Sequence, residues 1–96
     1  MYNIETKDHE TIIAQCTPNG QGAIALIRLC GQNVRQIVSK IAKLPANKKI
    51  ENVPNATVNF GWVIDENYNH IDQVLFIVMD GPATFTGQNT IEITCH

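Results

Sequence analysis

Two closely spaced glycines, Gly20 and Gly22, are the first residues whose spacing could support chemistry, because phosphate-binding loops are glycine-rich. Such loops need a third glycine at the dinucleotide spacing or a Gly-Lys-Ser/Thr sequence, followed by a helix whose N-terminus holds the phosphate. Neither sequence is present here, and the residues after Gly22 are apolar and strand-like. A tight turn between two strands, with glycines where backbones approach closely, is therefore favoured over a nucleotide site.

Arg28 is the one charged residue in an otherwise apolar segment, residues 23–30. A buried guanidinium must be paired, because burying an unpaired charge is energetically expensive. One interpretation is structural: a salt bridge, or a strand edge from which the head group reaches water. The other is recognition of a planar or carboxylate ligand, which suits the five-donor fork of arginine. The position of Arg28 alone does not decide between them.

Glu92 and the neighbouring Cys95 and His96 are the remaining candidates. Glu92 lies on the polar side of an alternating strand, where an exposed carboxylate is the default interpretation. Cys95 and His96 suggest a thiol–imidazole pair or metal ligands, but adjacent strand residues point to opposite faces and do not easily share a metal. The three cysteines, at positions 16, 30 and 95, have no metal-site spacing and are expected to be reduced thiols. With no Ser-His-Asp or paired-carboxylate arrangement, the chain is predicted to be non-catalytic and to hold no metal.

The elements that must position these residues are predicted to be about five strands and one helix. Strands are predicted over residues 11–17, 23–30, 58–65, 74–79 and 90–96. The alternation in the third of these predicts one buried aromatic face carrying Phe60 and Trp62. The six apolar residues 74–79 predict a central strand, and the polar residues 48–55 predict a connection.

The predicted helix lies between the second and third strands. Asn33 is its expected N-cap, and the residue before Pro45 its expected end. Four apolar residues follow the helical spacing i, i+3, i+4, i+7, namely Val34, Ile37, Val38 and Ile41. The order β-β-α-β-β-β predicts an α+β fold, a small mixed β-sheet with one main helix.

Length and charge limit the possible functions. Ninety-six residues make one domain, and no apolar run is long enough to span a membrane. A net charge of −2 argues against this chain gripping a phosphate backbone on its own. Its basic cluster is best interpreted as a solvated helix face; the cluster comprises Arg35, Lys40, Lys43, Lys48 and Lys49. The last strand stops at His96 without a turn or tail, so we expect a C-terminally truncated fragment of a larger protein.

Three segments resemble one family in the right order and at plausible spacing. Residues 11–31 look like the opening D-T-I-x-A-x-A-T-P-x-G-x-G-G-I-x-I-x-R-x-S-G of the MnmE family (also called TrmE) of tRNA-modification GTPases. Residues 85–96 look like its F-T-G-E-D-x-x-E-I-x-C-H-G-G motif, and residues 71–75 like its V-I-D-E-V-L. The resemblance covers essentially the whole chain.

The resemblance implies that residues 1–96 are the family's N-terminal folate-binding and dimerisation domain, C-terminally truncated, with a fold similar to the folate-binding portion of aminomethyltransferases. The helical and GTPase domains, the latter binding GTP with Mg and K ions, would lie outside this chain. The parent protein would be a cytoplasmic GTP hydrolase, not associated with membranes. As a homodimer, with the flavoprotein MnmG (also called GidA), it would modify carbon 5 of the wobble uridine of tRNA.

The family's folate-contacting arginine falls on Arg28 and its glutamate on Glu92, so the resemblance implies that both bind 5-formyl-tetrahydrofolate, a one-carbon donor. Arg28 would pair with a folate carboxylate or stack on its ring, and Glu92 would accept from pterin N–H groups. Gln88 and Asn89 stand where the family has an acidic pair, and Cys30 where it has serine. Two alternatives stay open: a structural dimerisation module with a degenerate folate pocket, and a free-standing aminomethyltransferase-like enzyme.

Overall fold

The computed structural model describes residues 12–15, 25–82, 84 and 87–95, which form one six-stranded sheet and one short helix. The sheet order is β1-β2-β6-β5-β4-β3. The strands are β1 (Ile12–Gln15), β2 (Ala25–Cys30), β3 (Ala42–Lys43), β4 (Thr57–Ile64), β5 (His70–Met79) and β6 (Thr90–Cys95), and the helix is α1 (Val34–Ser39). The glycine pair Gly20 and Gly22 lies outside the described residues.

Each pair of neighbouring strands is antiparallel, so the predicted mixed sheet is wrong for this part of the chain. Parallel neighbours need a long crossover, usually a helix. The helix α1 instead joins β2, near one end of the sheet, to β3 at the other end. The prediction of a central strand over residues 74–79 is confirmed, because β5 and β6 occupy the two middle positions.

The helix is shorter than the sequence pattern predicts. It ends at Ser39 rather than near Leu44, and its N-cap residue Asn33 makes no side-chain capping hydrogen bond. The reason lies in competition from the sheet: the carbonyl of Ile41 accepts a hydrogen bond from the backbone N–H of Ile64 at 2.8 Å. The chain is thereby drawn into β3, the strand that the sequence analysis missed. In the described part of the chain, no helix is long and apolar enough to cross a membrane.

The connection predicted over residues 48–55 contributes to the core. It contains a 3-10 turn at Ile50–Asn52, which follows another at Pro45–Asn47. Ile50 and Val53 are buried among the residues of the hydrophobic core. The segment was predicted to be only a connection because most of its residues are polar, but its two buried apolar side chains attach it to the core.

The two faces of the sheet differ. On the helix face, side chains from β2, β5 and β6 pack beneath α1 and its following turns: Leu29, Phe76, Val78, Ile91, Ile93, Val34, Val38 and Leu44. We call the opposite side the outer face; its side chains include Arg28, Glu92, Ile77, Val58, Phe60 and Leu75, which alternate with those of the helix face. Among the described residues, no helix covers the outer face.

The aromatic residues of β4 lie on the side opposite to the predicted one. Phe60 is 42% exposed on the outer face, and its ring meets Trp62 edge-on at a centroid distance of 5.1 Å. The helix face of β4 instead presents Gly61, where a Cβ atom would clash with the backbone oxygen of Lys43 and lie 2.8 Å from Leu44 Cδ2. Close approach of the β3 segment therefore requires a small residue at Gly61, and the bulky alternating residues turn outward.

Candidate functional site

Arg28 and Glu92 lie directly opposite each other on β2 and β6. The Nε atom of Arg28 donates to Oε2 of Glu92 at 2.7 Å, and its Nη2 atom lies 2.6 Å from the same oxygen. In the sequence these two candidate residues are 64 positions apart. The antiparallel register between β2 and β6 brings them together into one ion pair.

Their position follows from the alternation of the two strands. Ile27 and Ile93 form the neighbouring cross-strand pair, which points to the helix face. Arg28 and Glu92 therefore point to the outer face, with side chains that are 29% and 13% exposed. The default interpretation of Glu92 as an exposed carboxylate is wrong, because its pairing with Arg28 in the middle of the sheet holds it largely buried.

The structural interpretation of Arg28 is confirmed in one of its two forms. The salt bridge is present, but β2 lies between β1 and β6, so Arg28 is not at a strand edge. A salt bridge does not exclude ligand binding, since the pair is not fully enclosed. Among the residues that the structure describes, no donor reaches the second carboxylate oxygen of Glu92, Oε1. That oxygen is therefore available to an N–H group of a ligand.

The ion pair belongs to a continuous row of side chains across the outer face. In cross-strand register this row runs through Ala14, Arg28, Glu92, Ile77 and Val58. Its β1–β2–β6 half contains the charged pair, and its β5–β4 half is apolar. The row can therefore offer a charged hydrogen-bonding edge and an apolar platform to the same planar ligand.

Comparison with known proteins shows which family this chain belongs to. The sequence model of the family described as "GTP-binding protein TrmE N-terminus" matches residues 11–96. The chain belongs to this family. Arg28 and Glu92 both lie within the matched range, as do all the residues that the structure describes.

Curated relatives of this TrmE N-terminal chain carry the name tRNA modification GTPase MnmE. The protein from Geobacillus kaustophilus is 37% identical over 90 residues, covering 93% of this chain and 20% of its own length. The protein from Ligilactobacillus salivarius is 40% identical over 97 aligned positions, covering the whole of this chain and 20% of its own. The Bacillus subtilis protein is 40% identical over 88 residues. The chain thus spans about a fifth of the length of these relatives.

Gln88 and Asn89 have a structural role in this TrmE N-terminal chain. Asn89 accepts hydrogen bonds from two backbone N–H groups, through Oδ1 from Gly81 at 2.9 Å and through its carbonyl from Gly31 at 2.9 Å. The carbonyl of Gln88 accepts from the hydroxyl of Thr84 at 2.7 Å. These contacts fix the segment that leads into β6 and hence the position of Glu92.

Cys95 does not have the properties of a reactive thiol. Burial raises its pKa above the ordinary value of 9.0, and the negative charge of Asp72 raises it further. The thiolate, which is the nucleophilic and metal-binding form, is therefore disfavoured at neutral pH. His96, the other half of the thiol–imidazole pair considered in the sequence, lies outside the described residues.

Arg35, one of the five residues of the basic cluster, does not lie on a solvated helix face and has a structural role instead. Its Nε and Nη2 atoms donate to the two carboxylate oxygens of Asp80 at 3.2 and 2.9 Å. Its Nη1 atom donates to the carbonyls of Val53, Glu51 and Ile50 at 2.6, 3.1 and 3.3 Å. Arg35 therefore connects α1 to the 3-10 turn at Ile50–Asn52 and to Asp80, the residue after β5. Sequence spacing carries no signal for this network, since Asp80 is 45 positions away.

Proposed function

We propose that this chain is the N-terminal folate-binding and homodimerisation domain of a tRNA-modifying GTPase. Its membership of the TrmE N-terminal family and the shared name of its relatives support this proposal. On this view the whole protein is a cytoplasmic GTP hydrolase that works with the flavoprotein MnmG on carbon 5 of the wobble uridine of tRNA. GTP, Mg²⁺ and K⁺ would bind outside this chain, and the sheet would correspond to the folate-binding portion of aminomethyltransferases.

The ligand that we assign to the outer face is 5-formyl-tetrahydrofolate. Its pterin ring carries N–H donors along one edge, and Glu92 Oε1 is an unoccupied acceptor within the described structure. Its glutamate tail carries carboxylates, whose negative charge is attracted by the guanidinium of Arg28. The apolar side chain of Ile77, adjacent to Glu92 in the row, offers a surface on which the ring can lie.

The observation that carries the proposal is the position of the Arg28–Glu92 pair on the outer face of the sheet. A partly buried ion pair contributes little net stability, because desolvation offsets most of the Coulombic attraction. Apolar residues would serve folding at these two positions equally well. An ion pair at this position, with one carboxylate oxygen open, is better explained by ligand recognition.

Calorimetric titration with 5-formyl-tetrahydrofolate tests the assignment. We expect saturable binding by the natural chain and roughly 10- to 100-fold weaker binding by Glu92→Gln and by Arg28→Lys, since a hydrogen bond to a charged group contributes ~1.5–3 kcal/mol. Arg35→Lys is the matched control, because that arginine is also paired with a carboxylate but lies away from the outer face. Equal heats from all three variants and the natural chain would show that the pair does not bind this folate.

Homodimerisation is proposed to involve the apolar part of the outer face. Val58, Phe60 and Leu75 are 63%, 42% and 40% exposed there. A second copy would cover these side chains and gain the free energy of removing them from water. Leu75→Ser should weaken a dimer detected by light scattering, whereas Ile37→Ser, which alters a side chain of similar exposure (39%) on α1, should not. A strict monomer at high protein concentration would count against this part of the proposal.

The alternative function is a structural dimerisation module whose folate pocket has degenerated. The sequence resemblance favours it, because the resembled motif has an acidic pair where this chain has the uncharged Gln88 and Asn89, four and three positions before Glu92. This alternative predicts a normal dimer without calorimetric heat from folate. The proposed function predicts both the dimer and the heat, so the two experiments together distinguish them.

A further inference from the structure

A groove of about 520 Å³ lies beside the end of α1, away from the outer face. Its floor includes the core residues Leu44 and Ile50, and the segment that carries β3 and the two 3-10 turns forms its walls. Four lysines line it: Lys40, Lys43, Lys48 and Lys49. Neither Arg28 nor Glu92 lines this groove.

The positive charge of this groove is concentrated and exceeds the negative charge among its lining residues. The two arginines of the described structure are paired with carboxylates, Arg28 with Glu92 and Arg35 with Asp80. The four groove lysines have no ion-pair partner among the described residues. Glu51 is the one carboxylate among the lining residues. Although the chain has a net charge of −2, every lysine or arginine of the described structure that lacks an ion-pair partner lines this one groove.

An aromatic ring stands at the same groove. Tyr68 lines it and is 78% exposed. The residue has a positive φ of 64°, and its N–H donates to the carbonyl of Asp65 at 3.0 Å in the turn between β4 and β5. Asp65 also fixes the turn by accepting from the backbone N–H groups of Asn67 and Asn69, both at 2.9 Å. The turn therefore holds the tyrosine out of the core, where its ring can be stacked upon.

We propose that this groove binds a segment of single-stranded RNA. Lysines that follow the phosphodiester backbone, combined with an exposed aromatic ring on which a base can stack, are how proteins bind single strands without sequence preference. The interpretation of the lysines as a solvated helix face omits two facts, their shared groove and the tyrosine. RNA is chosen over DNA because relatives are named as tRNA-modifying proteins, and that choice alone rests on the proposed function.

Fluorescence anisotropy with a labelled oligouridylate tests the proposal on the full 96-residue chain. Each phosphate contact contributes about −0.7 to the slope of log K against log salt, so contacts by four lysines predict a slope of about −3. Affinity should accordingly fall about 50-fold between ~50 and ~200 mM salt. The double variant Lys48→Gln/Lys49→Gln should weaken binding and bring the slope to about half.

The matched control is Gln32→Glu/Gln73→Glu, which shifts the net charge by the same amount at two exposed residues outside the groove. It should retain most of the binding. Tyr68→Asn keeps a residue that tolerates positive φ but removes the ring, and it should weaken binding about fivefold or more, since stacking contributes ~1–3 kcal/mol per base. Circular dichroism of each variant verifies that the fold is retained.

Equal losses in the lysine and glutamine double variants would overturn the proposal, because binding would then follow net charge rather than the groove. Absence of binding at low salt would also overturn it. Tighter binding of a DNA oligonucleotide of matched sequence would overturn the choice of RNA. Arg28→Lys should leave RNA binding unchanged, and the lysine variant should leave folate binding unchanged, so a failure here is distinguishable from a failure of the folate assignment.

Discussion

The two faces of the sheet are built from the same strands but have different constraints. On the helix face, Phe76 and Ile91 are fully buried beneath α1. On the outer face, Phe60 and Leu75 from the neighbouring strands are 42% and 40% exposed, and an ion pair lies in the same layer. The helix face therefore holds the packed core, and the outer face carries partly exposed apolar side chains together with a charged pair.

The two arginine–carboxylate pairs show the same contrast. Arg35 and Asp80 are bound through both carboxylate oxygens, and the guanidinium also donates to three backbone carbonyls. Arg28 contacts only one oxygen of Glu92. The first pair closes connections between elements of the fold, and the second leaves an acceptor open. Geometry therefore distinguishes the two pairs where the residue type does not, and the open acceptor beside Arg28 is where the proposed ligand would bind.

The largest predicted effect separates the two phenylalanines. Phe76→Ala should lower the free energy of unfolding by about 3–5 kcal/mol, because it leaves a cavity in the core under α1. Phe60→Ala should lower it by about 1 kcal/mol or less in the monomer, since its side chain is already partly in water. Urea denaturation of the two variants measures both values. Similar losses at a protein concentration at which the chain is monomeric would mean that the outer face is packed within one copy, and the comparison would fail.

The next effect separates the two arginines. Arg35→Lys keeps the charge but loses the fork that binds Asp80 and three carbonyls at once, so we expect a loss of about 2 kcal/mol in unfolding free energy. Arg28→Lys should lose about 1 kcal/mol or less, because a lysine can still pair with Glu92. Thermal unfolding of both variants under the same conditions provides the test. A larger loss from Arg28→Lys would make the outer pair the structural one.

The smallest effect concerns Asp65, in the turn that joins β4 to β5. Its pKa lies below the ordinary value of 3.8, mainly because its carboxylate accepts a hydrogen bond from the backbone N–H of Asn69. A carboxyl with a depressed folded-state pKa contributes stability at pH values above its unfolded pKa, and this contribution is lost as pH falls through the folded pKa. Asp65→Asn should therefore unfold at a slightly lower temperature than the natural chain near pH 6.

The difference between the Asp65→Asn variant and the natural chain should shrink as pH falls below about 4, where the unfolded carboxyl takes up its proton. Unfolding temperatures measured from pH 6 downward report this narrowing. A constant difference across that range would show that the carboxylate charge has no part in stabilising the turn. This result would not affect the contrast between the two faces of the sheet, because Asp65 lies in the turn between β4 and β5 and on neither face.

Alternation made β4 and β6 predictable from sequence, and the continuous apolar run of residues 74–79 made β5 predictable. Alternation also correctly placed Ile91 and Ile93 on one side of β6 and Glu92 on the other. Alternation does not say which side a helix will cover. Phe60 and Trp62 were predicted to be buried because they are apolar, yet Gly61 marks the side where the β3 segment approaches.

Contacts between distant residues were likewise beyond local patterns. Helical spacing continued to Ile41, but a sheet hydrogen bond to Ile64 ended the helix early. Arg28 and Glu92 were identified as individual candidates, whereas their ion pair depends on the β2–β6 register. The network of Arg35 has the same origin, since it joins residues that only the folded chain brings together.

The measurement that most directly tests the role of the outer face is an NMR titration of the methyl-labelled chain with 5-formyl-tetrahydrofolate. Ile77 and Ile91 are residues of the same type on the adjacent central strands, Ile77 on the outer face beside Glu92 and Ile91 on the helix face beneath α1. We predict that the Ile77 methyl resonances shift with added folate while those of Ile91 stay in place. Shifts at Ile91 without shifts at Ile77, or none at either residue at saturating folate, would contradict the assignment of folate binding to the outer face.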